Sequence, residues 1–178
     1  MEPLILMLRG VNVSRANRLP MAEFRAMLEA AGFHSVRTHI QSGNAVMMGA
    51  HEDAEARVSA GLAAIGLSVP VFVLRLAEME AVLAANPFRA AGAADGKSVH
   101  VVFLKGEVRL DIGALAGLAT QGERFHLGQG AFYLHTPAGF GTSKLAEQLP
   151  RVLKAGMTAR NQRSAEAIAA LARGLVAP

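Results

Sequence analysis

Four short segments hold the side chains best suited to chemistry: Arg9 to Val13, Ile40 to Asn44, Gly141 to Leu145, and Thr158 to Asn161. They supply guanidinium, ammonium, hydroxyl and amide groups beside glycines. None contains a carboxylate, although the chain has 14 Asp and Glu. Magnesium-dependent phosphoryl transfer needs carboxylate ligands, so these segments do not point to it. Donor-rich groups of this kind suit an anion. Ser143 and Thr158 are placed to cap helices, whose free N–H groups and dipole favour negative charge. The expectation is a small phosphorylated or carboxylated ligand, such as a nucleotide, in a polar pocket between two subdomains. Arg9, Asn12, Gln41, Ser42, Asn44, Lys144, Arg160 and Asn161 would line it. The competing reading is structural: the same groups cap helices, make a turn at Gly43-Asn44 and satisfy loop carbonyls.

Other chemistries find less support. The chain has no Cys, so it has no disulfide, no thiolate metal site and no cysteine nucleophile. The run Gly139-Phe140-Gly141-Thr142-Ser143-Lys144 lacks the spacing of a phosphate loop, and its Lys follows the hydroxyl residue. Gly128-Gln129-Gly130 reads as a hairpin turn. The six His residues are 34, 39, 51, 100, 126 and 135, with no H-x-x-x-H pair. Binding a metal would need His100, His126 and His135 to converge from three strands, whereas satisfied or exposed strand histidines are the simpler reading. His39 shares a strand face with Gln41 and could serve as a base toward a ligand there. There is no G-x-S-x-G elbow. The sequence names no reaction, no metal and no cofactor.

Hydropathy periodicity gives the elements that must position these groups. Leu4–Leu8 is a buried strand. A helix from Pro20 to Ala31 ends at Gly32. Val36–Ile40 and Ala45–Met48 are strands, His51–Ile65 a helix, and Val69–Leu74 a strand. The order is β-α-β-β-α-β, a ferredoxin-like unit. A short helix follows at Ala77–Ala85. Small, turn-rich residues 89–97 suggest a linker. Beyond it come a strand at Ser98–Leu104, a short helix at Asp111–Leu118 and a hairpin of Arg124–Leu127 with Ala131–His135. Helices are expected at Ser143–Leu153 and Thr158–Leu175. The fold class is α+β, with two packed α/β subdomains at 1–88 and 89–178. No internal repeat of 20 to 50 residues is evident.

The 178 residues are 52% hydrophobic and 18% charged, enough for a sizeable core and too apolar for disorder. Net charge is +4. Residues 1–88 hold 7 basic and 8 acidic groups, and 89–178 hold 11 and 6. The excess is expected on the last two helices. A five-residue apolar run stopped by Arg9 is a poor signal peptide, and no stretch is long enough to span a membrane. A cytoplasmic location with no membrane partner is the expectation.

Two stretches resemble one family. Residues 8–44, LRGVNVSRANRLPMAEFRAMLEAAGFHSVRTHIQSGN, are similar to the opening signature of the bacterial domain of unknown function 1697 family (DUF1697). Residues 139–161, GFGTSKLAEQLPRVLKAGMTARN, resemble its second conserved-looking segment, and the likeness runs over the whole chain. The chain departs from the family pattern at Ser14-Arg15-Ala16, where Gly-Gly-Lys is commoner, and at Gln162, where Trp is commoner. The resemblance implies an α/β fold and no assigned activity. Two rival functions stay open: nucleic-acid binding through the basic C-terminal helices, and a structural or interaction module. With no Trp and 5% aromatics, the chain is poorly equipped for base stacking.

Overall fold

The computed structural model describes residues 1–13 and 17–176. The departure at residues 14–16 therefore lies outside the described residues. Strand β1 (Glu2–Leu8) keeps Leu4 to Leu8 buried. A strand hidden on both faces reads as a continuous apolar run, which is why it stands out in the sequence. Helix α1 (Met21–Ala30) follows, and Gly32 leaves it with φ +82°. Strands β2 (His34–His39) and β3 (Asn44–Gly49) form an antiparallel hairpin. Helix α2 (Ala54–Ala64) and strand β4 (Val71–Arg75) complete a four-stranded antiparallel sheet of order β2-β3-β1-β4. This is the expected βαββαβ unit. Leu4, Leu6, Leu8, Ala45 and Met47 pack on Phe24, Leu28, Val58 and Leu62 of the two helices. Helix α3 (Leu76–Ala84) starts at the residue after β4.

Helix α4 (Arg89–Ala94) occupies the stretch expected to be a linker. Its small residues serve close packing. A Cβ on Gly92 would collide with the Gln162 side chain, and one on Gly96 would come within 2.8 Å of Arg163 Cβ. Strand β5 (Val99–Leu110), helix α5 (Ile112–Leu118), strands β6 (Arg124–Leu127) and β7 (Ala131–His135), and helix α6 (Lys144–Val152) follow. Strand β8 (Leu153–Asn161) and helix α7 (Gln162–Arg173) close the chain. The second sheet is antiparallel with order β6-β7-β5-β8. Val102, Phe132 and Leu134 pack on Leu115, Leu145 and Leu149.

A second element also differs from expectation. The stretch expected as a single helix from Thr158 begins as a strand, and the helix starts only at Gln162. Ala159 and Arg160 favour helices, but pairing with β5 from Asn161 to Leu153 outweighs that preference. With β8 in place the second unit also reads βαββαβ, followed at once by a helix. The two sheets have the same strand order when β5 to β8 are matched to β1 to β4. Aligning the last residues of β4 and β8 matches Leu4, opposite Arg75 and Met47, with His100, opposite Asn161 and Leu134.

The chain divides into Met1–Ala81 with Ala167–Pro178, and Val82–Glu166. The divisions fall inside α3 and α7 and not at the expected 88/89 boundary. Arg173 in the last turn of α7 pairs with Glu80 of α3 at 2.6 Å, which ties that helix end to the first unit. Among the described residues no helix is long and apolar enough to cross a membrane.

Candidate functional site

The first two polar segments meet at one end of the first sheet. Asn12 sits at φ +55°, and its amide group donates to Leu19 O at 2.8 Å and Gln41 O at 3.0 Å. Its side-chain oxygen accepts from Leu19 N at 2.8 Å. Asn44 is fully buried and donates to Ser42 Oγ at 2.7 Å. Leu8 N donates to Gly43 O at 2.9 Å, and Arg9 N to Pro70 O at 3.1 Å. Arg9 and Gln41 present exposed side chains. This end is a clasp of loops whose amides answer one another. Asn12 and Asn44 thus tie the two loops to their own backbone and to Ser42.

The fourth segment ends at Asn161, which lies opposite His100 near the start of β5. A cleft of about 470 Å³ opens there, lined by Asp95, Lys97, Ser98, His100, Thr136, Asn161 and the 137–140 loop. Its walls are tied down. Ser98 Oγ donates to Asp95 O at 2.8 Å, Lys97 N to Asp95 Oδ1 at 3.0 Å, and Thr136 N to Ser98 O at 2.8 Å. Gly139 turns the loop at φ +108°, a conformation that L side chains resist. Asn161 Oδ1 accepts from Ser164 N at 2.8 Å, capping α7. Thr158, expected as a cap, lies buried within β8 instead.

His100 stands on the helix-facing side of β5, above Val102. Its ring stacks on Phe140, with centroids 3.8 Å apart and planes at 26°. Its Nδ1 is buried and has no hydrogen-bond partner. Burial pushes its pKa down to about 4, so the ring is neutral at neutral pH. Buried polar atoms are nearly always satisfied, and an exception calls for an explanation.

The corresponding end of the first sheet is closed by charge. Arg75, the register equivalent of Asn161, pairs with Glu2 at 3.3 Å, Glu78 at 3.5 Å and Glu52 at 3.7 Å. The second unit has no such plug among its described residues. It has a neutral amide and a cleft.

Of the eight expected site residues only Asn161 lines this cleft; Arg9, Asn12, Gln41, Ser42 and Asn44 belong to the first sheet and its loops, and Lys144 and Arg160 also lie elsewhere. Lys144 is exposed on the first turn of α6. Arg160 alternates to the other sheet face, where it donates to Thr158 Oγ1 at 2.9 Å and Ala159 O at 2.8 Å. Burial lowers its pKa to about 10. Ser143 does cap α6, accepting from Ala146 N at 3.2 Å and donating to Glu123 Oε1 at 2.8 Å. Burial opposes ionisation of Glu123, but hydrogen bonds from Gln121 N, Ser143 and its own backbone N–H win and lower its pKa. Lys97, Ser98 and Thr136 escaped the sequence reading. The available signal was His100 itself, a polar residue inside the run Val99-His100-Val101-Val102-Phe103.

The three strand histidines are parted. His126 lies over Tyr133, His135 contacts Arg124 Nη2 at 3.3 Å, and His100 lies on Phe140. Among the described residues no group of three His, Cys, Asp or Glu is arranged to hold a metal. The C-terminal cations are also dispersed. Lys154 and Arg160 sit on β8 and Arg173 is ion-paired, so the last two helices do not carry the whole excess.

No curated protein matches the sequence. Among solved structures, a conserved bacterial protein from Streptococcus pneumoniae shares the fold, with a TM-score of 0.72 and 20% identity. That match covers 97% of this chain and 99% of the other. The family described as "Protein of unknown function (DUF1697)" matches residues 1–133, and the chain belongs to that family.

Proposed function

We propose that the protein binds a small anionic molecule, bearing a carboxylate or phosphate, in the cleft between the start of β5 and the end of β8. The carrying observation is that His100, whose Nδ1 is buried and unpartnered, lines a cleft of ligand-sized volume, about 470 Å³. A neutral imidazole offers one donor and one acceptor, so a ligand group can complete its bonding. Lys97 and the N-terminal turn of α7 favour a negative group. Ser98, Thr136 and Asn161 offer polar contacts to the rest of the molecule. Asp95 limits the negative charge accepted, although its Oδ1 is engaged by Lys97 N.

The test is a thermal-melt panel of inorganic phosphate, citrate and adenosine monophosphate at low and high salt. A probe present at a hundred times its dissociation constant adds about 2.7 kcal/mol to stability. A shift that survives salt and is lost in Lys97→Ala supports the reading. No shift from any probe favours a structural or interaction module.

A further inference from the structure

A second feature lies toward the other end of the same sheet. Arg109 of β5 stands directly opposite Lys154 of β8. Like charges opposed across an antiparallel pair repel and cost stability. The backbone between Lys105 and Arg109 leaves regular register before Arg109 returns to face Lys154. Such a bulge re-aims side chains. Arg151, in the last turn of α6, lines the same cleft, whose volume is about 640 Å³. The carboxylates nearby are already engaged. Glu107 grips Arg109 with bonds of 2.8 and 3.0 Å, and Asp111 accepts from Ala114 N at 2.9 Å to cap α5. Arg151 and Lys154 have no ion pair among the described residues.

We propose that this cleft takes the oligophosphate group of a small molecule, with linked phosphates bridging Arg109, Lys154 and Arg151. Side chains opposed across a strand pair stand about 5 Å apart at Cβ, close enough for one phosphate to engage both. A phosphate between them makes charge-assisted contacts to both, sharing Arg109 with Glu107. Ile112, 63% exposed on the rim, gives the remainder of the ligand an apolar edge. The lining has no aromatic ring on which bases could stack, so a single-stranded nucleic acid is the poorer fit. This site is independent of the His100 cleft.

The experiment is calorimetric titration of the full chain with inorganic tripolyphosphate, with an oligothymidylate as a second arm. The wild type binds tripolyphosphate at this cleft, distinguished from any binding at the His100 cleft by its dependence on Lys154. Lys154→Glu removes one cation of the cluster and adds a carboxylate, so it weakens binding about tenfold or more. Arg151→Ala also weakens this binding. Absence of wild-type binding, or binding undiminished in Lys154→Glu, overturns the proposal. Binding of the oligothymidylate without tripolyphosphate also overturns it and assigns the surface to nucleic acid.

Discussion

His100 and Phe140 stack at 3.8 Å, a strand histidine covered by a ring from the loop after β7. The contact joins the second sheet to the loop that opens the SKL segment. It leaves the imidazole neutral and half-buried, with Nδ1 one hydrogen bond short.

That arrangement makes stability depend on pH. The folded pKa of about 4 lies below the ordinary 6.5, so between those values the unfolded chain holds a proton that the folded chain lacks. Stability from this group is therefore complete above about pH 6.5 and is lost as pH falls toward 4, with a ceiling of roughly 3 kcal/mol. Urea unfolding across that range checks it. His100→Phe should flatten the slope; an equally steep slope in that variant contradicts the assignment.

Glu123 gives a separate acid response. Its pKa is lowered, so its contribution is present at neutral pH and is lost as pH falls through that lowered value. Ser143→Ala removes both the cap on α6 and a partner of Glu123. The expected loss is about 1 to 2 kcal/mol at neutral pH. Chemical denaturation measures it, and an unchanged midpoint would mean that the cap contributes nothing.

Gly43 should tolerate no side chain. It is at φ +72°, and a Cβ would come within 2.5 Å of Val11 Cγ2 and 2.8 Å of Leu8 Cβ. Gly43→Ala should cost about 2 kcal/mol or more. The cost should appear as a lower unfolding midpoint with unchanged secondary structure by circular dichroism.

Asn12→Ala removes three hydrogen bonds to the Leu19 and Gln41 backbone. Roughly 1 to 3 kcal/mol should be lost, because Leu19 N and O lose their partner. A loss confined to ligand binding, with stability intact, would reverse the structural reading of this loop.

The sequence was most legible where one physical signal dominated. Leu4–Leu8 is so apolar that its double burial shows directly. Gly32 and Gly43 marked sites of positive φ. The second half was harder because its signals conflict. Met157 to Arg160 lie on a strand but lack the β-branched density of Val99–Phe103, and only register with β5 reveals them. Missing β8 hid the second βαββαβ unit. The small residues at 89–97 resembled a flexible linker because close packing and flexibility both select Gly and Ala. Among site residues, Asn161 was legible as part of TARN. Lys97 and Thr136 were not, since nothing local links them and only the fold gathers them around His100.

The most direct test of the central claim follows the ring nitrogens of ¹⁵N-labelled His100 by nuclear magnetic resonance. The protein is titrated with inorganic phosphate, citrate and adenosine monophosphate, in wild type and Lys97→Ala. The account predicts that at least one probe moves the His100 Nδ1 resonance saturably, and that Lys97→Ala weakens the response. A His100 ring indifferent to every probe, or a response identical in Lys97→Ala, contradicts it.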